Sequence, residues 1–302
     1  MRIATSVRQA MDLKIGVVAL ESSVISQGLP YPNNLEIALG MEKEIRDEKA
    51  VPATLAIMDG SVTVGCDSDE IKRLATEKGV IKAGSRDIGA AITHKKNAAL
   101  TVSASLKVAF KAGIRVFSTG GIGGVHYFGD DFAPDISSDL LELSRNPVVV
   151  VCAGAKNILN LGATLEVLES LAIPVFGFQV NEFPAFYLRS SGFKISGIQS
   201  VKDVVSVSLN HWAYSNSAVL VCLPVNNEFA LEQAVWDSAF NDAITKAREN
   251  KISGPATTPF LLREVGAYTN GATIVANEKI LLANAKLGAQ IAVEFSKMYP
   301  DV

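Results

Sequence analysis

The chain has 302 residues, of which 48% are hydrophobic, and its 28 basic residues nearly balance its 31 acidic ones. A chain of this length can bury a substantial core as one large domain or two modest ones. The balanced charge and the lack of a basic cluster argue against a nucleic-acid groove, and no apolar run approaches the roughly 18 residues of a membrane span.

Three widely spaced cysteines, Cys66, Cys152 and Cys222, match neither a disulfide framework nor a metal-binding motif. This usage predicts a location in the reducing cytoplasm. Residues 1–11 carry two arginines and no acid, a feature of transit peptides that leaves organellar targeting open. The helical spacing of the apolar residues in this segment favours an ordinary first helix instead.

The first 115 residues alternate short apolar runs with amphipathic segments. Strands are predicted over residues 14–20, 53–58, 62–65 and 80–82, with a hairpin turn at Asp59-Gly60. Helices are predicted from Asn33, over 68–78 and over 101–112. Asn33 is the expected cap of the first, and Asp67 or Ser68 of the second.

The rest of the chain repeats this alternation. Strands are predicted over 116–118, 148–152, 175–178 and 218–223. Helices are predicted directly after Lys156 and over 165–171, 201–212, 229–250, from 257, and 280–295. Such alternation favours an α/β layered fold. No repeat or linker divides the chain, so we expect one domain over residues 1–302.

The stretch from 116 to 159 carries the features of an active site. Two of its predicted strands end in small-residue turns, Thr119–Gly124 and Ala153–Lys156. Small residues let backbone N–H groups approach a ligand, and a helix that begins there favours an anion such as phosphate. Between the turns lies a segment with two carboxylates and two hydroxyls, Asp135–Asp139. Ligands usually bind at this edge of an α/β sheet.

Taken singly, these residues are weak indicators. A glutamate after a strand, such as Glu21, is usually a solvated loop residue. Asp135 has the residue type of a helix N-cap, and Lys156 could be the first solvated residue of a helix. The glycine-rich turn lacks the spacing of a nucleotide-binding motif. The evidence is the joint placement of anion-friendly turns, lysines and acids at one sheet edge.

Segments along nearly the whole chain match one known family. They are Ala-Leu-Glu-Ser at 19–22, 28–32, Val-Pro-Ala-Thr at 51–54, Ser-Thr-Gly-Gly-Ile-Gly-Gly-Val-His at 118–126, Asp-Ile-Ser-Ser-Asp-Leu at 135–140, Val-Cys-Ala-Gly-Ala-Lys at 151–156, Phe-Pro-Ala-Phe at 183–186, Thr-Pro-Phe-Leu-Leu at 258–262, and 276–277. In these segments the chain resembles the pseudouridine-5′-phosphate glycosidase family. The resemblance implies an α/β/α fold around a largely parallel or mixed sheet, and a homotrimer. It also implies a divalent metal such as Mn²⁺ and reversible cleavage of pseudouridine 5′-phosphate to uracil and ribose 5-phosphate.

The resemblance also implies roles for individual residues. Lys156 matches the family's Schiff-base lysine, Glu21 its proton donor and Asp135 its metal ligand. Residues that match substrate-binding positions, or that lie near the ligand, are Lys82, Val102, Ser137, Ser138, Asp139 and Asn277. Thr119 and His126 lie on the turn that we assign to phosphate.

The chemistry explains the need for a lysine. The scissile bond joins C1′ of ribose to a carbon of uracil, so the two-carboxylate mechanism of ordinary glycosidases is insufficient. A neutral lysine amine can attack C1′ as the ribose ring opens, and an imine on that lysine serves the C–C cleavage. A glutamate can move the protons that ring opening and uracil departure require.

The chain departs from the family pattern at several positions near the expected pocket. These are Gln27, Gly84, Ser85, Leu100 and Ala283. Two alternatives follow: a C-glycosidase of the same fold that acts on a different base, and a non-catalytic relative. Retention of Glu21, Asp135 and Lys156 together favours the enzyme.

Overall fold

The computed structural model describes residues 1–127, 135–250, 252 and 257–298, with the side chains of 258 and 259 excepted. The strands are β1 (Arg2–Ile3), β2 (Val17–Leu20), β3 (Val51–Met58), β4 (Ser61–Val64), β5 (Ile81–Ala83), β6 (Ala98–Leu100), β7 (Val116–Ser118), β8 (Val149–Cys152), β9 (Val175–Phe178), β10 (Ser196–Ile198) and β11 (Val219–Cys222). The helices are α1 (Thr5–Asp12), α2 (Asn33–Asp47), α3 (Ser68–Thr76), α4 (Ile88–Thr93), α5 (Val102–Lys111), α6 (Ser138–Leu143), α7 (Leu161–Ser170), α8 (Val201–Trp212), α9 (Gln233–Glu249), α10 (Thr257–Tyr268) and α11 (Ala272–Met298). A π-helical turn covers Val24–Gly28, and a 3₁₀ turn covers Asn227–Phe229.

The described strands join one mixed sheet in the order β1-β4-β3-β2-β7-β8-β11-β9-β10, with β6 attached to β3 and β5 attached to β6. Strand β3 pairs antiparallel with β4 and β6, and every other pairing is parallel. Parallel pairs need crossover connections, and helices supply them here except between β9 and β10, which the loop over 179–195 connects. The predicted α/β class with a largely parallel or mixed sheet is confirmed.

The two faces of the sheet pack against different helices. Val150 and Cys152 of β8 point into a core that includes residues of α5, α6, α9 and α10. Val149 and Val151 point into the opposite core, which includes residues of α2, α8 and α11. Because neighbouring strand residues face opposite sides, a strand covered on both faces reads as a continuous apolar run. This arrangement produces three layers.

Helix α1 confirms the ordinary-helix interpretation of the first segment, because Val7 and Ala10 are buried in the core. Cys66, Cys152 and Cys222 are buried and form no disulfide. Among the described helices, none has both the length and the apolar character to span a membrane.

Several local predictions are wrong. Pro32 precedes α2 and no side chain caps that helix, so Asn33 is its first residue rather than its cap. No helix follows Lys156 directly, because the chain runs through turns until α7 begins at Leu161. Strands β1, β6 and β10 have only two or three residues, too few for a periodic pattern to show.

The capping prediction for α3 is confirmed. The Asp67 side chain accepts a hydrogen bond from the Glu70 backbone N–H at 2.9 Å, and the Glu70 side chain accepts one from the Asp67 backbone N–H at 3.0 Å. Such a reciprocal pair satisfies two backbone donors that a helix start otherwise leaves free.

The turn that follows β8 depends on Gly154. Its φ is +78°, and an added Cβ would lie 2.1 Å from the carbonyl oxygen of Pro184. Residues with a side chain avoid this backbone region, and here the loop at Pro184 also occupies the space that a side chain would need. Gly154 therefore fixes the path of the chain to Lys156.

We expect Gly154→Ala to lower the free energy of unfolding far more than Gly192→Ala. Gly192 has a nearly identical φ of +79° but no atom within 4 Å of an added Cβ, so its substitution measures backbone strain alone. That strain costs about 1–2 kcal/mol, and overpacking at Gly154 adds about 1–3 kcal/mol. Denaturant unfolding of both variants tests this difference. Equal losses of stability would show that the Pro184 contact is unimportant.

Candidate active site

Three parallel strands bring the candidate catalytic residues to one edge of the sheet. Strand β7 lies between β2 and β8, with Leu20 opposite Ser118 and Ser118 opposite Val151. Glu21 and Thr119 therefore leave neighbouring strands side by side. The pairing continues beyond the strands, where Ile122 bridges Ala155 next to Lys156. The predicted juxtaposition of the two strand ends is confirmed.

The Glu21 carboxylate is held by two hydroxyl groups. The Thr119 hydroxyl donates a short hydrogen bond to Oε1, and the Ser23 hydroxyl donates one to Oε2. Thr119 is in turn held from α11, because Asn284 Nδ2 donates to its carbonyl oxygen at 2.8 Å. Glu21 itself is only 8% exposed. The carboxylate is thus fixed in orientation before any ligand binds.

The buried carboxylate of Asp139 connects two backbone segments of the site. Its Oδ1 accepts a hydrogen bond from the Ser103 backbone N–H, and its Oδ2 accepts one from the Gly123 N–H, both at 2.9 Å. One carboxylate therefore ties the start of α5 to the glycine-rich turn. The neighbouring Ser137 side chain caps α6 by accepting from the Asp139 N–H at 3.2 Å.

A hydroxyl-rich patch surrounds the start of α5. Ser138 Oγ donates to Ser103 Oγ at 3.1 Å, and Ser103 Oγ lies 3.0 Å from Thr101 Oγ1. Val102 is the first residue of this ten-residue helix, and its backbone N–H lies at the positive end of the helix dipole. The patch therefore combines hydroxyl groups with a helix N-terminus.

The side chain of Lys82 joins this group electrostatically. Partial desolvation of the ammonium group lowers the pKa of Lys82, and the positive charge of Lys156 lowers it further. The carboxylates of Glu21 and Asp139 act in the opposite direction. Four charged groups from distant parts of the chain therefore lie close enough to interact electrostatically.

His126 and Asp135 lie together at the border of this cleft. The His126 backbone N–H donates to the Asp135 carbonyl oxygen at 2.9 Å. Burial lowers the pKa of His126, the Asp135 carboxylate raises it, and the charge of Lys156 lowers it again. Asp135 is exposed. Within the described part of the chain, no group of three or more His, Cys, Asp or Glu side chains could hold a metal ion.

Asn277 of α11 borders the glycine-rich turn. A Cβ added at Gly120 would lie 3.4 Å from Asn277 Oδ1 and 3.5 Å from the Phe186 ring. At Gly121 an added Cβ would come within 2.7 Å of the same ring. The glycines thus permit close packing of this turn against the aromatic loop.

The structure differs from the sequence interpretation of the turns. No helix begins at Gly120–Gly124 or at Lys156, so neither turn gains a helix dipole there. The helix N-termini at the site are those of α5 and α6 instead. Thr119 is fully buried and its hydroxyl is engaged by Glu21.

Ser23, Ser103 and Asn284 are site residues that sequence reasoning missed. Their partners lie 2, 36 and 165 positions away. Only Ser23 had a local signal, its place two residues after the candidate carboxylate.

Four of the five departures from the family pattern can be placed with respect to this site. Gly84 and Ser85 border the hydroxyl-rich patch, because the Ser85 N–H donates to Ser103 Oγ at 3.3 Å and a Cβ added at Gly84 would lie 3.6 Å from the same oxygen. Leu100 is fully buried in β6, where its backbone N–H donates to Ser22 Oγ at 2.9 Å. Ala283 is on the exposed side of α11, whereas the neighbouring Asn284 faces the site. Ala283 therefore does not shape the cleft of this chain.

Comparison with known sequences gives one consistent result. The model of the indigoidine synthase A-like protein family matches residues 6–294. A pseudouridine-5′-phosphate glycosidase of Mycoplasmopsis agalactiae is 46% identical over 96% of this chain and 97% of its own length. A protein of the same name from Staphylococcus aureus is 42% identical over 97% and 95%.

Two solved structures are also similar. The prealnumycin C-glycosynthase AlnA, solved in complex with ribulose 5-phosphate, superposes with a TM-score of 0.92 at 31% identity. The match covers 100% of this chain and 98% of AlnA. An indigoidine synthase A-like protein from Thermotoga maritima superposes with a TM-score of 0.85 at 33% identity, over 94% of each chain.

The electrostatic neighbours of His126 predict opposite shifts in two variants. In metal-free protein, Asp135→Asn removes a negative charge and lowers the pKa of His126, whereas Lys156→Ala removes a positive charge and raises it. NMR titration measures both, and the chain has only three histidines to assign. Shifts in the same direction would contradict the placement of His126 between these two groups.

Proposed function

Because this chain belongs to the indigoidine synthase A-like family of pseudouridine-5′-phosphate glycosidases, we propose that it reversibly cleaves the C–C glycosidic bond of pseudouridine 5′-phosphate. The products are uracil and ribose 5-phosphate. The observation that carries this proposal is the convergence of Glu21, Lys82 and Lys156 in one cleft at the ends of parallel strands.

Lys156 is the proposed nucleophile. Its neutral amine attacks C1′, the C1′–O4′ bond breaks, and the ribose ring opens with the sugar attached to the lysine nitrogen. The C1′–C5 bond then breaks. The nitrogen lone pair forms a C=N bond to C1′, and the electrons of the broken bond restore the double bond of a uracil ring protonated at C5. Water hydrolyses the imine, which releases ribose 5-phosphate and the free lysine.

Glu21 is the proposed proton carrier. It passes the proton lost by the attacking amine to O4′, and it delivers a second proton to C5 of uracil. Hydrolysis of the imine returns that second proton, so the cycle balances. Hydrogen bonds from Ser23 and Thr119 hold both carboxylate oxygens and keep the group aimed at one place.

We place the 5′-phosphate at Lys82 and the start of α5 rather than at the turn of Thr119 and His126, because no helix begins at that turn and Glu21 engages the Thr119 hydroxyl. The helix N-terminus at Val102 and the exposed hydroxyl group of Ser138 supply donors, and Lys82 supplies positive charge. Asp139 organises this subsite, since its own oxygens are occupied by two backbone N–H groups.

A divalent ion such as Mn²⁺ is proposed at Asp135. One exposed carboxylate leaves most coordination positions to water, which suits a hard cation, and the nearby His126 imidazole is an acceptable second ligand. When bound, such an ion polarises the oxygen atoms that it contacts. We further propose that the protein is a homotrimer in the reducing cytoplasm, as the family resemblance and the three unpaired cysteines suggest.

The sharpest test is capture of the imine. Borohydride added during turnover reduces the C=N bond and leaves ribose 5-phosphate on the peptide that contains Lys156. Lys156→Ala loses both adduct and turnover because it has no amine. Lys156→Arg loses both because its guanidinium stays protonated and cannot attack C1′. Lys202→Ala, exposed on α8, serves as the matched control and retains both. Turnover without an adduct in the wild type would refute the mechanism.

Phosphate recognition is tested by comparing pseudouridine 5′-phosphate with free pseudouridine. Lys82→Gln raises KM for the phosphorylated substrate about 10- to 100-fold, since a hydrogen bond to a charged group contributes about 1.5–3 kcal/mol. KM for free pseudouridine stays unchanged in this variant. Equal efficiency of the wild type on both substrates would overturn this placement.

Metal dependence is tested by chelation. EDTA abolishes turnover and Mn²⁺ restores it, whereas Asp135→Ala responds poorly to added Mn²⁺. The matched control, Asp12→Asn, alters an exposed carboxylate at the end of α1 and responds like the wild type. Full activity of a metal-stripped sample would show that turnover does not need the proposed ion.

A further inference from the structure

Phe186 has an unusual backbone conformation for a buried aromatic residue. Its φ is +56°, in the left-handed region that residues with a side chain seldom adopt, and the residue is only 3% exposed. Every other described non-glycine residue with a positive φ is exposed to solvent. Such outliers persist only where the surrounding structure holds them, and they are concentrated at functional sites.

A two-residue turn imposes this conformation on Phe186. The backbone N–H of Ala185 donates to the carbonyl oxygen of Leu188 at 3.1 Å, and the Leu188 N–H donates back to the carbonyl oxygen of Ala185 at 3.0 Å. Phe186 is thus the first of the two central residues, and a positive φ at that position ordinarily selects glycine. Glycine would adopt the turn with less strain. The benefit of phenylalanine at this position must therefore come from its ring.

The ring of Phe186 packs against the backbone of the glycine-rich turn. A Cβ added at Gly121 would lie 2.7 Å from Cδ2 of the ring and 2.8 Å from Cε2, and one added at Gly120 would lie 3.5 Å from Cε2. The ring therefore occupies the space that side chains at these two positions would need. Both glycines directly follow Thr119, whose hydroxyl donates to the Glu21 carboxylate.

The backbone of Phe186 is bonded to the turn that carries Lys156. The Phe186 N–H donates to the carbonyl oxygen of Ala153 at 3.1 Å, and the Ala153 N–H donates to the carbonyl oxygen of Gly120 at 2.8 Å. The Lys156 N–H donates to the carbonyl oxygen of Ile122 at 3.2 Å. Phe186 therefore contacts both turns where they pair with each other, with its ring on one turn and its N–H on the other.

We propose that Phe186 is a positioning residue for the reaction proposed above, on which this inference rests. Its ring holds the glycine-rich turn against the turn of Lys156, and it thereby fixes the distance between the Lys156 amine and the Glu21 carboxylate. Phe186 acts through the backbone of the two turns. Attack by the amine and proton transfer by the carboxylate require one shared geometry, and a displacement of about 1 Å can lower a rate about 100-fold.

Two variants separate the ring from the strained backbone. Phe186→Ala removes the ring and keeps a Cβ in the left-handed conformation, whereas Phe186→Gly removes both the ring and the strain. We expect Phe186→Gly to unfold at a higher denaturant concentration than Phe186→Ala. For pseudouridine 5′-phosphate, kcat nevertheless falls about 10- to 100-fold in both variants, so activity does not follow stability. KM stays unchanged, because the proposed phosphate subsite at Lys82 and α5 lies outside these turns.

Phe295→Leu is the matched control for loss of a buried ring. Phe295 lies in the core on the opposite face of the sheet, where it stacks on Trp212, so its substitution lowers stability without removing a contact to either turn. This variant keeps the wild-type kcat and the wild-type rate at which borohydride captures ribose 5-phosphate on Lys156. Both Phe186 variants form that adduct more slowly than the wild type.

Hydrogen exchange adds a readout that needs no substrate. The backbone N–H groups of Ile122 and Lys156, which join the two turns, exchange about tenfold faster in both Phe186 variants than in the wild type or in Phe295→Leu.

The inference is wrong if both Phe186 variants keep the wild-type kcat, if they raise KM at unchanged kcat, or if Ile122 and Lys156 exchange at the wild-type rate. A wild type that shows neither turnover nor adduct would refute the proposed function instead. In that case the exchange rates of Ile122 and Lys156 still report whether Phe186 holds the two turns, so the two failures are separate results.

Discussion

The parallel pairing of β2, β7 and β8 is the constraint on which the site depends. Parallel strands in register end at the same edge of a sheet, so residues that follow them meet regardless of their separation in sequence. Glu21, Thr119 and Lys156 come together for this reason. The strands themselves are held by apolar side chains buried on both faces, which makes the edge rigid enough to support catalysis.

Polar contacts then convert this edge into an oriented site. Asp139 joins two backbone segments through its two oxygens, and Asn284 holds the carbonyl oxygen of Thr119. These side chains are buried, so their hydrogen bonds act without competition from water. Glu21 is consequently positioned by groups that are themselves fixed, which is the arrangement that precise proton transfer needs.

The catalytic cleft and the cavity beside it differ in charge, and they therefore suit different kinds of ligand. The catalytic cleft gathers two lysines with several carboxylates, which suits a phosphorylated sugar and a nucleophilic amine. A neighbouring cavity of about 250 Å³ lies between residues 157–162, the loop over 185–193 and α9; among the described residues its lining includes aromatic rings and no basic side chain. Lys156 and Asn157 are consecutive in the chain, yet Lys156 lies in the catalytic cleft and Asn157 lines the neighbouring cavity. A single step along the backbone thus separates a charged environment from a neutral one.

The sequence by itself determined the fold class, most of the strands and helices, and the candidate catalytic positions. Buried strands such as β8 appear as apolar runs. Glu21 directly follows β2, and Lys156 lies four residues after the end of β8. Only the tertiary structure revealed the short strand β6, the absence of a helix at Lys156, and the roles of Ser103 and Asn284. Those features depend on hydrogen bonds between distant residues, which leave no periodic signal along the chain. A local pattern records which side chains are buried, whereas the partner of a buried polar atom is decided by the packing of the whole sheet.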